Sequence, residues 1–214
     1  MALIPLRGYH RMIARQLGGP SGLLGGRVAA KLNAQNGPLI AAAVDALDLS
    51  GGERVADVGF GGGAGLGLLL SAVGASGEVH GIDPSTSMVT RAGKEYADAV
   101  AARRLVLHEA GMEALPLGDG DLAGWISLNT IYFVEDLDTA FGELARVLDP
   151  AGRAVLGIAD PDDMAQVPFT RYGFRLRPLA EVVDSLAAAG LAVEDRPVQR
   201  GEWTFHLLVC TLRS

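Results

Sequence analysis

The sequence predicts a three-layer α/β protein, with a seven-stranded, mostly parallel sheet between layers of helices, and three observations predict it. Strand-like and helix-like segments alternate five times from Arg54 onward. Parallel strands need long crossover connections, and this alternation supplies them. The chain closes on two strand-like runs joined by a connection around Gly201 that is too short for a crossover, so the last strand runs antiparallel. A glycine-rich turn stands between the first strand and the first helix of the series, as nucleotide-binding α/β proteins require.

Before the first strand, Gly18-Gly19-Pro20 and Gly25-Gly26 break up apolar helical segments. Residues 1–50 are therefore expected to form an N-terminal helical cap on a core of residues 51–214, the whole being one domain. Arg54 to Gly59 and Glu78 to Asp83 are short apolar runs, and Leu66, Leu69, Leu70 and Val73 lie between them at helical spacing, a strand–helix–strand unit. A second helix starts with Ser85 as N-cap and buries Met88, Ala92 and Tyr96, and Leu105 to His108 follow as strand three. Trp125 to Leu128 read as strand four. A helix with Ala140, Phe141, Leu144 and Leu148 on one face comes next, then a Pro150-Ala151-Gly152 turn into Arg153 to Ile158 as strand five. Pro178 opens a helix through Leu179, Val182, Val183 and Leu186, which Gly190 stops. Leu191 to Val198 and Trp203 to Leu212 then form the closing hairpin, with Gln199 to Glu202 as its turn.

Composition narrows the function. A formal net charge of −7 works against non-specific binding to nucleic acid, where phosphate neutralisation needs a Lys/Arg surface, and so against a polynucleotide substrate. The single cysteine, Cys210, cannot close an internal disulfide, and no Cys or His pair has metal-ligand spacing, which fits a reducing, cytoplasmic setting without a metal. Val58 to Gly77 is a run of 20 uncharged residues, but eight are glycine, which would weaken a membrane-spanning helix. The opening MALIPLRGYHRM carries charges and a proline where a signal peptide has an apolar run.

The strongest local feature is the run Asp57-Val58-Gly59-Phe60-Gly61-Gly62-Gly63-Ala64-Gly65 between strand and helix. Glycine lets a ligand approach the backbone closely, and a helix N-terminus offers unpaired N–H groups; the competing reading is a tight turn whose glycines serve packing alone. Asp83 stands 26 residues beyond Asp57, at the end of the next strand, where a carboxylate can accept hydrogen bonds from both hydroxyls of a ribose. Otherwise it is a turn residue before Pro84 and Ser85. Together the two features point to an adenosine-containing ligand.

Asp57, Gly59, Gly61 and Gly63 resemble the DxGxGxG motif of class I S-adenosylmethionine (SAM)-dependent methyltransferases. Glu113-Ala114-Leu115-Pro116 resembles the family's ExLP segment before strand four; Asn129 to Asp136 resembles the segment after it; and Leu144 to Gly152 resembles the helix and turn into strand five. The likeness runs from about Asp48 to the C-terminus. It implies a Rossmann-like fold, SAM as cofactor with S-adenosylhomocysteine as product, and methyl transfer to a small molecule. It also implies that Gly59, Gly61 and Gly63 lie under the methionine part of SAM, that Asp83 holds the ribose, that Met88 or Ile82 flanks the adenine, and that Met112 and Glu113 lie at the adenine edge. The family commonly has an acidic residue two positions before that Glu, where this chain has Gly111. Glu109, Glu113 or a backbone carbonyl must then accept from the adenine amino group.

A sulfonium methyl is already activated, so the main task is to hold the acceptor in line with it at about 3 to 3.5 Å. Asn129, at the end of strand four, is expected nearest the methyl, because ligands sit at the carboxyl ends of parallel strands; a strand-capping turn is the other reading. Tyr132 and Phe133 would wall the acceptor pocket or pack beneath the next helix. In the cap, Tyr9 and His10 are placed to fold over the site, His10 as a proton acceptor or as a solvated helix residue. Asn33 and Asn36 reach the SAM carboxylate or end a helix before Gly37-Pro38. His206 alternates with Trp203, Phe205 and Leu207 and takes the opposite sheet face. Asp160 to Arg177, with Asp162, Asp163, Arg171, Tyr172 and Arg175, lacks periodicity and reads as a substrate lid whose arginines pair with an anionic acceptor or stay solvated. Two rivals stand beside this reading. A nicotinamide-dependent reductase would show GxGxxG spacing without Asp57, and a non-catalytic SAM-binding module would show a degraded loop. The acceptor atom, the need for a general base and the oligomeric state are left open.

Overall fold

The computed structural model describes residues 8, 10–12, 14 and 36–213. Tyr9, Asn33 and most of the expected cap lie outside the described residues. Five strands, β1 (Arg54–Val58), β2 (Glu78–Ile82), β3 (Leu105–His108), β4 (Leu122–Leu128) and β5 (Leu148–Ala159), are joined in parallel, and β6 (Leu191–Arg200) and β7 (Trp203–Leu212) complete a sheet of order β3-β2-β1-β4-β5-β7-β6. β7 runs antiparallel to both neighbours. The chain steps outward one way from β1 through β2 to β3, then returns to place β4 on the other side of β1. This reversal opens a crevice at the carboxyl ends of β1 and β4, where such sheets bind ligands.

Alternation along each strand feeds two apolar layers. On one face Val55, Val79, Ile126, Val155 and Leu207 pack under α1 (residues 36–46), α2 (Ala64–Ala72) and α3 (Thr86–Glu95), with α4 (Ala97–Ala101) directly after. On the other, Ala56, Trp125, Leu156 and Leu208 meet α5 (Leu137–Arg146) and α7 (Leu179–Ala188), whose Phe141, Leu144, Val182 and Leu186 are buried. Trp125 is fully buried and donates its indole N–H to the Leu144 carbonyl at 3.1 Å, so its one polar atom is paired where water is absent.

Several local expectations need correction. α1 takes in Gly37-Pro38 instead of ending before them, and Leu39 and Ala43, with Leu47 just beyond the helix, are buried on the sheet as part of the core. The Ser85 side chain makes no cap bond at the start of α3; Asp83 Oδ1 accepts the Ser85 N–H instead, at 2.9 Å. Pro150-Ala151-Gly152 is a bulge within β5: Leu122 pairs with Leu148 and Gly124 with Arg153, so four residues of β5 are looped out against one of β4. Leu148 therefore belongs to that strand, not to the face of α5. Residues 160–177 are ordered by α6 (Pro161–Ala165) and a 3₁₀ turn at Pro168–Arg171.

Candidate functional site

A cavity of about 980 Å³ occupies the crevice. Its floor is the β1–α2 turn. Gly59 and Gly61 line it with φ of 76° and 48°, left-handed backbone in which glycine is comfortable, and a Cβ on Gly59 would collide with the Thr130 side chain. Gly63 starts α2 without facing the cavity; its carbonyl accepts the Tyr96 hydroxyl at 2.9 Å, which fixes the turn from behind.

Asp83 lines the cavity beside this turn. Its Oδ2 accepts the Gly61 N–H at 2.8 Å and its Oδ1 the Ser85 N–H, so one carboxylate ties the glycine turn to the start of α3 and keeps further lone pairs for a ligand. Burial raises its pKa, against the lowering effect of those two donors. Asp57, deeper still and against Gly65, has its pKa raised to about 8, first by burial and then by the charge of Asp83.

At the next wall, Met112 and Glu113 line the cavity, and a Cβ on Gly111 would come within 3.0 Å of Glu113 Oε2. The Glu113 carboxylate thus occupies the space that a side chain at position 111 would enter. Glu109 does not line the cavity; it accepts from the Thr86 hydroxyl at 2.7 Å. Met88 and Ile82 are buried in the core and do not reach the cavity, because the helix face and strand face that carry them point into the apolar layers; Pro84 lines it in their stead.

Asn129 follows β4 with φ of 57°, donates its backbone N–H to Gly157 at 2.8 Å and lines the cavity. The Tyr132 hydroxyl accepts the Ala159 N–H at 2.8 Å and lies 3.4 Å from Asn129 Oδ1, bracing the ends of β4 and β5 together. Burial pushes its pKa well above the usual tyrosine range. Phe133 lines the cavity and packs on the core at once. His10 is half-buried in a helical stretch and lies outside the cavity lining, whereas Asn36 is part of it.

Met164, Phe169 and Phe174 of the 160–177 segment line the cavity, while Arg171, Tyr172 and Arg175 do not. Arg175 pairs with Glu135 at 2.9 Å, and Arg177 donates to the carbonyls of Ile131, Val134 and Glu135, so this segment is stapled to the turn after β4. Its other end is held by Asp160 and Asp163: Asp163 accepts the Thr204 N–H at 2.9 Å, and buried His206 sits between Asp195, at 2.9 Å, and Asp160, at 3.2 Å.

Sequence reasoning missed the hairpin's share. Because β7 is antiparallel and pairs Ala159 with Phe205, its first residues lie at the carboxyl end of β5. Arg200, Trp203 and Phe205 consequently line the cavity. Among the described residues no cluster of His, Cys, Asp and Glu is arranged to hold a metal ion, and no helix is long and apolar enough to cross a membrane.

The sheet order, the inserted antiparallel β7 and the glycine-floored crevice define a Rossmann-like protein of the class I methyltransferase kind. Residues 56–156 match the model of the methyltransferase domain family. The chain is 37% identical over 121 residues to an uncharacterized 37.1 kDa protein of a Streptomyces fradiae transposon, covering 56% of this chain and 34% of that one. It is 34% identical over 103 residues to aklanonic acid methyltransferase DauC of Streptomyces sp. (strain C5), covering 48% of this chain and 46% of that one. The chain therefore spans less than half the length of these two relatives. A SAM-dependent methyltransferase of Aquifex aeolicus has the same fold, with a TM-score of 0.66 at 22% identity over 86% of this chain and 98% of that one.

Proposed function

We propose that the chain transfers the methyl group of SAM to a small-molecule acceptor. The observation that carries the reading is Asp83, a buried carboxylate that faces the cavity, bonds the glycine turn and has acceptor capacity left for two ribose hydroxyls. The residues present fit the cofactor. Gly59 and Gly61 give the backbone approach that its methionine part needs, Met112 and Pro84 bracket a place for adenine, and Glu113 supplies the acceptor that Gly111 lacks.

When bound, SAM supplies a methyl group activated by a positive sulfur. What remains for the chain is orientation and exclusion of water. Asn129, left-handed in backbone with its N–H bonded to Gly157, lines the cavity at the end of β4, and the Tyr132 hydroxyl contacts its side-chain oxygen. The 160–177 segment and the β6–β7 hairpin wall the acceptor side. A free metabolite in a reducing cytoplasm suits a chain of net charge −7 with one cysteine better than a nucleic acid does. The acceptor of DauC is, by its name, aklanonic acid, a small molecule, which supports the same class here.

Incubating the purified chain with SAM and a panel of small metabolites, with mass-spectrometric detection of S-adenosylhomocysteine, tests the reading. Acceptor-dependent release of S-adenosylhomocysteine is expected. Release stimulated only by nucleic acid would contradict it, and tight SAM binding with no turnover on any acceptor would favour a non-catalytic SAM-binding module.

A further inference from the structure

We infer that the acceptor is a flat, apolar acid, aromatic or polyunsaturated, methylated on an oxygen that enters the site already ionised and is steered by Arg200; this rests on the methyltransferase reading above. The cavity is divided by chemistry. Its acidic residues, Asp57, Asp83 and Glu113, all lie on the glycine-turn side, facing a cofactor that bears positive charge. The opposite side is formed by Phe133, Phe169, Phe174, Met164, Trp203 and Phe205. Phe174 is its centre, edge to face with Phe133 at 4.7 Å and 62° and tilted against Phe169 at 5.7 Å and 52°. A flat unsaturated ligand extends such an arrangement with the contacts that rings prefer.

Among the described residues that side is mostly apolar. The Tyr132 hydroxyl is engaged with Ala159 and Asn129, so a polyhydroxylated acceptor would bury hydroxyls without partners. On that side a proton acceptor is also lacking among the described lining residues: the carboxylates lie across the cavity, there is no histidine, lysine or cysteine, and burial keeps Tyr132 protonated. An acceptor whose oxygen is ionised at neutral pH needs none. The oxygen lone pair forms the new C–O bond while the bond from sulfur to the methyl breaks and its electron pair stays on sulfur. The products are a methyl ester or ether and S-adenosylhomocysteine, with no proton moved inside the site.

Arg200 is the cation of the described lining. It ends β6, half-buried, with its guanidinium carbon 6.0 Å from the centre of the Phe205 ring, at the border of the aromatic wall. An anion there gains a charge-assisted bond at the edge of an apolar space.

The test is calorimetric binding of 2-naphthoate, uncharged 2-naphthamide and aliphatic butyrate to the chain saturated with S-adenosylhomocysteine. Naphthoate is expected to bind at least about ten-fold tighter than either of the others. Arg200→Gln should erase the preference over the amide while leaving S-adenosylhomocysteine affinity within about two-fold, and Phe169→Ala should weaken both naphthyl ligands. Equal affinity for acid and amide, no naphthoate binding, or a preference that survives Arg200→Gln would overturn the inference. Failure of S-adenosylhomocysteine itself to bind would instead sink the methyltransferase reading.

Discussion

Glu113 and Asp57 show how single residues shape the cofactor side. Glu113 Oε2 fills the space beside Gly111, and on the proposed reading its carboxylate accepts from the adenine amino group. Glu113→Gln keeps the shape but weakens one charge-assisted bond, so SAM affinity should fall about five- to ten-fold by calorimetry, with fold stability unchanged. Asp57 has a different signature. Burial, and then the charge of Asp83, raise its pKa to about 8 in the folded chain, against the 3.8 of an ordinary aspartate in the unfolded chain. Between those values the unfolded state has lost a proton that the native state keeps, so this group's contribution to stability falls as pH rises across the window. Asp57→Asn removes that dependence. The Tm of the variant relative to wild type should therefore rise from pH 5 to pH 8, and a pH-independent difference would show that Asp57 ionises normally. Cys210, buried with its thiol pushed up to about 12, should resist thiol reagents until the chain unfolds.

Among the elements, the 160–177 segment walls the proposed acceptor side. Arg177 gathers three carbonyls of the turn that carries Tyr132 and Phe133. Cutting that staple with Arg177→Ala should raise the acceptor KM several-fold and lower kcat, while SAM affinity, set at the far wall, stays within about two-fold. Arg177→Lys should recover little, since one ammonium cannot span the three acceptors. In the core, Trp125→Ala would empty a site sealed between α5 and the sheet, at a cost of about 3–5 kcal/mol in chemical denaturation.

These elements were legible in the sequence to different degrees, for physical reasons. β1 to β5 announced themselves because buried parallel strands are short apolar runs separated by helices with a 3.6-residue period. The glycine turn and Asp83 were legible because close backbone approach and, on the proposed reading, ribose binding constrain residue type directly. By contrast, α6 has five residues, too few for a period to show, and the Pro150-Ala151-Gly152 bulge uses the same residues as a turn. The family resemblance implies Met88 or Ile82 at the adenine, but spacing along a helix says only that Met88 is buried, not whether it faces core or cavity. Trp203, Phe205 and Arg200 escaped notice for a related reason: alternation identifies a hairpin, but only the register of β7 on β5 shows which end of it meets the site.

At the scale of the whole molecule, the fold converges on one place. The reversal of strand order between β1 and β4 opens the crevice, the glycine turn and Asp83 furnish one side, and the hairpin with the 160–177 segment furnishes the other. The most direct test is isothermal titration of SAM, S-adenosylhomocysteine and NADH into wild type and Asp83→Ala. Micromolar binding of SAM and S-adenosylhomocysteine, lost by at least about 50-fold in Asp83→Ala, with no binding of NADH, is the expected result. NADH binding in preference to SAM, or SAM affinity unaffected by Asp83→Ala, would contradict it.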